Sequence, residues 1–399
     1  MFGSDFFANN RNQLRRAVAP SVPIVLTANG QLQRDNDVSY PFHQDGNFWY
    51  LTGCDDPDIV LVIDQTEEYF IVPRRSAARE AFDGTINIEE LAQISGVKTI
   101  YDAEKGWQKL KNRLKKVAEA AILAAPPAYI KDSGLYANPA RAQLAGRIKA
   151  VNLDIEFTDI QPHLARLRVV KQPAELAALQ KAIAITNQTL TEVTRLKTLA
   201  KYVHEYEIEA DITRGFRKRG ASGHAFNPIV AAGQNACTLH HVQNDGPVHA
   251  GDFIVLDVGA EWLHYSADIT RTVCMGEPSK RQQAVYNGVE AVQKFAMSLI
   301  KPGMDFKQYE RQVVTFMGEK LRELGLIRSI TDDDVRRYFP HATSHFLGLN
   351  THDVGDYSWP LEPGAIITVE PGIYIPEEGI GVRIEDDVLV TPTGIKVLS

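Results

Sequence analysis

A chain of 399 residues is longer than one ordinary hydrophobic core accommodates, and its length predicts two domains. Hydrophobic residues at 44% and charged residues at 23% describe a soluble globular protein and exclude a disordered or fibrous one. The formal net charge of −7, without a basic stripe, argues against a nucleic-acid surface, which needs clustered cations to displace counterions.

Taken in chain order, the opening MFGSDFFANNRNQLRRAV lacks the basic start, apolar core and small-residue cleavage site of a secretory signal. No stretch reaches the roughly 18 apolar residues of a spanning helix, so a cytoplasmic address without a membrane partner is expected. Cys54, Cys237 and Cys274 form neither a C-x-x-C pair nor a disulfide framework and read as reduced, mostly buried thiols. The basic runs Arg11 to Arg16 and Lys105 to Lys116 are interleaved with apolar residues at helical spacing and read as solvated helix faces. Ile59 to Ile63 and Tyr69 to Val72, joined by the polar stretch Asp64 to Glu68, predict a hairpin. Trp107, Leu110, Leu114, Val117 and Ala121 recur at steps of three and four and predict a helix, stopped by Pro126-Pro127. Residues 1–165 thus read as an α/β domain with no catalytic cluster.

The boundary is expected near Gln161 to Gln172, leaving 166–399 as a second domain. Pro173 suits the first turn of a helix, Glu175 complements its dipole, and Leu176, Leu179, Ile183, Leu190 and Val193 line one face. Helices are also predicted over Arg281 to Leu299 and Phe306 to Leu324.

The chemistry concentrates here. DFIVLDVGAEWLHYSADITRTVC, residues 252–274, reads as two strands reversing around Glu261 to His264. With the turn centred between Trp262 and Leu263, Asp257 stands opposite Asp268 with Cβ atoms about 5 Å apart, a repulsion that a shared proton or a cation must relieve. A turn centred one residue away is expected to set the two aspartates on opposite faces as ordinary turn-flanking acids. HATSHFLGLNTHDVG, residues 341–355, packs three histidines into twelve positions of a chain holding 11. In TVEPGIYI, Pro371-Gly372 breaks a strand at Glu370. In GIGVRIEDDVLV, Arg383, Glu385 and Asp387 share one strand face by the period of two, which is either a site or an exposed charged face. Asp257, Asp268, Glu370 and Glu385 contribute four negative charges and His345 as neutral imidazole none, so two divalent ions balance the set. Oxygen-rich ligation with one imidazole and no thiolate suits Mn²⁺, with Zn²⁺ and Co²⁺ acceptable. No G-x-S-x-G elbow or P-loop is present.

Asp257 in LDVGA, Asp268 in SADITR, His345 in TSHFLGL, Glu370 in VEPGIY and Glu385 in RIEDD resemble, in order and spacing, the five ligands of the pita-bread dinuclear metallopeptidases. YPFHQDGNFWYLTG, residues 40–53, resembles the companion domain of Xaa-Pro aminopeptidases (aminopeptidase P) and prolidases, which methionine aminopeptidases lack. The resemblance implies a small α/β domain of the creatinase and prolidase type, followed by a pita-bread domain with an antiparallel sheet covered by helices. It implies two metal ions, with Asp257 on one, His345 and Glu370 on the other, and Asp268 and Glu385 bridging. Hydrolysis by a metal-bridging hydroxide follows, with Glu370 also the general base. It places His240, His341 and His352 in the substrate site, His352 on the scissile carbonyl, with His241 as the alternative to His240. Tyr374 and Arg383 orient the ligands, and Tyr374 and Phe346 are candidates for a wall against proline, Phe346 equally for a core residue. Peptides with proline in second position are the implied substrates; an Xaa-Pro dipeptidase and a non-catalytic pita-bread binding protein are the alternatives. A homo-oligomer, dimer or tetramer, in which a neighbouring amino-terminal domain narrows the site, is the implied assembly.

Overall fold

The computed structural model describes residues 2–124, 130 and 134–399, which divide into two compact units, 1–167 and 168–399. Among the described residues no helix is long and apolar enough to cross a membrane.

The first unit is built on a six-stranded mixed sheet in the order 100–102, 68–72, 60–63, 24–27, 119–122, 156–159. The expected hairpin is there: Val60–Ile63 pairs antiparallel with Glu68–Val72, Val62 opposite Tyr69. The helix expected through Ala121 instead ends at Leu114. Val117 lies in the following loop and Ala121 in the buried strand Glu119–Ile122, paired to Ile24. A central strand that is apolar on both faces carries no alternation, so its alanines extended the helical spacing by coincidence. The Pro126-Pro127 stop falls outside the described residues. In the 40–53 motif, Asp45 caps the helix Gly46–Thr52 by accepting from the amides of Asn47 and Phe48, and Gly53 ends it at φ 68°. A Cβ there would sit 2.4 Å from the Phe7 ring, so both conformation and space demand glycine.

The reading of Arg11 as a solvated residue is overturned. On the helix Ser4–Ala17 it lies on the buried face with Phe7, Asn10 and Leu14. Its Nη1 donates to the carbonyls of Leu51 (2.8 Å) and Ser95 (2.9 Å), and its Nε and Nη2 hold Glu68 at 3.1 and 2.7 Å. The guanidinium satisfies carbonyls from two other elements, a use that spacing along one helix cannot reveal. The second basic run does lie mostly in solvent. Of the three thiols, all free, only Cys54 is buried; Cys237 and Cys274 are half-buried.

In the second unit the long helix Pro173–Val193 opens with Pro173 in its first turn and a reciprocal cap between Gln172 and Glu175. With Glu205–Lys218 it covers the strands Ile229–Ala232, Phe253–Val258 and Ile269–Cys274 through Ile183, Ile212, Phe216, Ile254 and Leu256. A second pair, Lys280–Leu299 and Phe306–Glu323, covers Ile366–Val369, Gly372–Ile375, Ile380–Arg383 and Asp386–Thr391 through Val289, Val313, Met317, Ile367, Val382 and Val388. Strand alternation then decides what faces away from the helices. Ile254, Leu256 and Val258 point to the first pair, so Asp257 points the other way; Val382, Ile384 and Val388 point to the second, so Arg383, Glu385 and Asp387 do not.

Glu68 shows how strongly Arg11 shapes the first unit. Burial pushes its carboxyl up, but the bonds and charge of Arg11 and Arg15 outweigh burial and hold it below its ordinary 4.5. A carboxylate with a depressed folded-state pKa stabilises above its unfolded value and loses that contribution as pH falls through the folded one. Glu68→Gln is therefore expected to cost about 3 kcal/mol at neutral pH by leaving a buried guanidinium underpaired. Urea unfolding should show this cost shrinking as pH drops below the ordinary 4.5.

Candidate active site

The loop between the two aspartate strands turns at Leu263 and His264, both with positive φ (51° and 66°), so its centre lies one residue later than expected. Trp262 pairs with Tyr265, and Asp257 stands opposite Thr270, not Asp268. Moving the centre by one residue moves the pairing by two, and side chains alternate with period two. The aspartates therefore keep one face, and the expectation that such a displacement would separate them is also wrong. The chain passes between two small sheets at Gly259, where a Cβ would lie 1.7 Å from the Ala267 carbonyl oxygen; only glycine permits that approach.

Five side chains from four distant segments meet on this face. His345 Nε2 lies 3.4 Å from Asp268 Oδ2 and 3.4 Å from Glu370 Oε1. Ligand atoms of Asp268, His345 and Glu385 all fall within 4.8 Å of one another. Asp257 sits among them with Oδ2 held by Arg383 Nη2 at 2.5 Å and Oδ1 buried without a hydrogen-bond partner. Arg383, Glu385 and Asp387 are all nearly inaccessible, so the alternative of an exposed charged face is excluded.

Their electrostatics register an uncompensated charge. Burial, then the charges of Glu385 and Asp257, push Asp268 well above the ordinary carboxylate range. Burial, then Glu370 and Asp257, do the same to Glu385. Burial also raises Glu370 to about 7, with His345 opposing and Asp268 adding to the rise. His345 Nδ1 is 3.0 Å from the carbonyl of Phe346, which can only accept, so the neutral ring carries its proton there. Its Nε2 then faces two carboxylate oxygens, an arrangement that a proton or a metal cation on that nitrogen must relieve. These four carboxylates and one imidazole fit a dinuclear metal site.

A second set orients the first. Arg383 Nη1 donates to the Tyr374 hydroxyl at 2.9 Å, and that hydroxyl is 2.9 Å from His341 Nε2. Because His341 Nδ1 must donate to the Ala342 carbonyl (2.9 Å), its Nε2 accepts from Tyr374. Burial, with Arg383 second, lowers His341 to about 3; burial, with His345 and His240 second, lowers His352 to about 4. Both rings are neutral near pH 7. The ring of His352 lies 4.2 Å from that of His345, tilted at 52° to it, and exposed His240 is close enough for its charge to bear on His341 and His352. His241 turns away, its Nε2 2.9 Å from buried Glu205. Phe346 packs against Phe306 and Tyr357 in the core, and is no part of a substrate wall; Tyr374 is occupied with Arg383 and His341.

Two threonines escaped the sequence reading, and Asp387 was read only as part of a charged strand face. Thr270 Oγ1 donates to Glu385 Oε2 at 2.6 Å and accepts from Arg383 Nε. Thr368 Oγ1 accepts from the His345 amide at 3.1 Å and donates to Glu370. Asp387 accepts the Asp268 amide at 3.2 Å. Each lies two residues from a proposed ligand, so the period of two was the signal that could have found them.

Metallopeptidase family M24 matches residues 177–392, and the aminopeptidase P amino-terminal domain matches 7–123. The Xaa-Pro aminopeptidase of Haemophilus influenzae is 34% identical over 98% of this chain and 93% of its own length. Human Xaa-Pro aminopeptidase 3 is 33% identical over 94% of this chain and 78% of its own. Among solved structures, the proline aminopeptidase P II of Yersinia pestis superimposes with a TM-score of 0.86 at 30% identity, covering 100% of this chain and 96% of that one. Aminopeptidase P from E. coli with the inhibitor Pro-Leu gives 0.86 at 29%, covering 100% and 95%. The fold is accordingly the mixed α/β arrangement expected, a small amino-terminal domain followed by a pita-bread domain, and the chain belongs to metallopeptidase family M24.

Proposed function

We propose that this metallo-aminopeptidase removes the amino-terminal residue of peptides whose second residue is proline. The observation that carries the reading is the convergence of Asp257, Asp268, His345, Glu370 and Glu385 on one buried face, with carboxylates raised by burial and by one another and the imidazole Nε2 turned toward them. Relatives 34% and 33% identical over nearly the whole chain carry the Xaa-Pro aminopeptidase name, and Pro-Leu, an inhibitor of the E. coli neighbour, has the form of the product such cleavage releases.

In this reading Asp257, His345 and Glu370, with Asp268 and Glu385 shared between the two positions, would hold two divalent ions, and the donor set would favour Mn²⁺. Two such ions supply Lewis acidity toward the scissile carbonyl and acidify a water. The remaining work falls to the chain. Glu370 takes a proton from the attacking water on a carboxylate oxygen and returns it to the departing proline nitrogen, which as a tertiary amide brings none of its own. Neutral His352 donates to the carbonyl oxygen as charge develops there. Arg383, through Tyr374, keeps His341 in the tautomer whose proton lies on Nδ1, and His240 lines the substrate side. A homo-oligomer in the cytoplasm completes the proposal.

Purified Mn²⁺-loaded protein incubated with Ala-Pro-Ala should release alanine and Pro-Ala, while cleavage of the dipeptide Ala-Pro alone would replace this reading with a prolidase. Asp268→Asn is expected to lower activity by more than about a hundredfold, since even outer partners of metal sites are worth ten- to a hundredfold. Metal analysis should find fewer than two ions in that variant, and wild-type turnover would refute the pairing. A raised carboxyl pKa stabilises the folded state below its unfolded value and loses that contribution as pH rises through the folded one, which for Glu370 lies at about 7. Chelator-treated protein should therefore lose thermal stability between roughly pH 4.5 and 7, and the stabilisation restored by Mn²⁺ should grow over the same interval.

A further inference from the structure

The segment between the expected domain boundary and the long helix carries two cations, Arg168 and Lys171, whose side chains are each 1% exposed. Two cations in such a place demand an anion, and it comes from far along the chain. Arg168 Nη2 donates to Asp353 Oδ1 at 2.5 Å and to Asn350 Oδ1 at 2.8 Å. Lys171 Nζ donates to Asp353 Oδ2 at 2.9 Å and to the Arg168 carbonyl at 2.7 Å. The backbone at Lys171 is itself tied to the catalytic domain, its amide donating to the Gly364 carbonyl at 2.9 Å beside a bridge between Val170 and Ala365. Burial pushes the Asp353 carboxyl up, but Arg168 and Lys171 outweigh burial and keep it below the ordinary range, so it remains ionised.

Asp353 directly follows His352, at the end of an irregular loop that begins after His345. The loop is drawn tight around this carboxylate: the Asp353 amide donates to the Phe346 carbonyl at 2.8 Å, and the Gly348 amide to that of Asn350 at 3.1 Å. Gly348 rides so close over the ion pair that a Cβ would sit 2.0 Å from Asp353 Oδ2 and 2.7 Å from Lys171 Nζ. Apolar side chains of similar volume would fill this space at no loss of stability, and often with a gain, so stability alone does not account for a buried triad. What the triad grips is the residue next to His352, whose ring lies 4.2 Å from that of His345.

We propose that Asp353, clamped by Arg168 and Lys171, is a positioning residue that sets the His352 ring over the scissile carbonyl. The inference rests on the role given above to His352. Asp353→Asn keeps the shape and removes the charge that the two cations grip, so the loop loosens while the proposed metal ligands stay in place.

The test is a double-mutant cycle on Mn²⁺-loaded protein with Ala-Pro-Ala. Asp353→Asn should retain two ions and a KM within about threefold of wild type, with kcat falling at least about tenfold, the range of outer partners at metal sites. In a His352→Ala background the same substitution should change kcat less than twofold, because its target is gone. An undiminished tenfold loss in that background, or an unchanged kcat in folded Asp353→Asn, would overturn the proposal. Should Asp353→Asn fail to fold, Lys171→Met removes one clamp while leaving Arg168 on Asp353. Its smaller kcat loss, about threefold, must likewise vanish without His352, and persistence of that loss would overturn the proposal. A wild-type kcat in His352→Ala alone would refute the role of His352 itself, and with it this inference.

Discussion

Four carboxylates crowded on one buried face are the constraint around which the catalytic domain is organised. Like charges a few ångströms apart in a poorly solvated place repel by several kcal/mol, and each carboxylate also surrenders its hydration. Glu370, Asp268 and Glu385 respond as that physics requires, their acidities weakened by burial and by one another. Such a group of side chains cannot gather itself. It is held by two helix pairs whose apolar faces lock the strands from behind, at about 1.5–3 kcal/mol for each fully buried aliphatic or aromatic side chain. Dozens of those contacts outweigh the cost of the cluster, and the strand alternation that buries Ile254, Leu256, Val382 and Val388 also turns the acids toward one another.

Around the cluster, hydrogen bonds assign protons and directions. Arg383 is the central residue: it reaches Asp257, Tyr374 and Thr270 at once, and its charge both moderates the acids and helps to keep His341 neutral. The threonines at 270 and 368 fix Glu385, His345 and Glu370 by single hydroxyl bonds. Thr270 and Arg383 bond across strands, to Glu385 and Asp257, so these partners tie to one another the segments that carry the proposed ligands.

Buried ion pairs serve the two units alike. Arg11 in the first unit and Arg168 in the second each satisfy acceptors from segments remote in the chain, joining elements that apolar packing alone would leave free to slide. Such pairs contribute little net stability against an apolar substitute, and breaking one side of them is costly. They act on arrangement more than on stability.

Residue type, order and periodicity were enough to point to the proposed ligands through five separated motifs, and to give the two-domain layout, the helices at Pro173, Lys280 and Phe306, and the face on which Arg383, Glu385 and Asp387 lie, because motifs, length and periodicity are all written in the order of residues. Tertiary structure alone decided the rest. The pairing of Asp257 with Thr270 followed from positive φ at two non-glycine residues, Leu263 and His264, which no propensity signals. Whether His240 or His241 faces the site depended on Glu205, more than thirty residues away, and Arg11 left the solvent for carbonyls supplied by Leu51 and Ser95. Burial and partnership are properties of the assembled chain: a charged side chain carries the same letter whether it is solvated or enclosed, and only the elements that fold over it determine which.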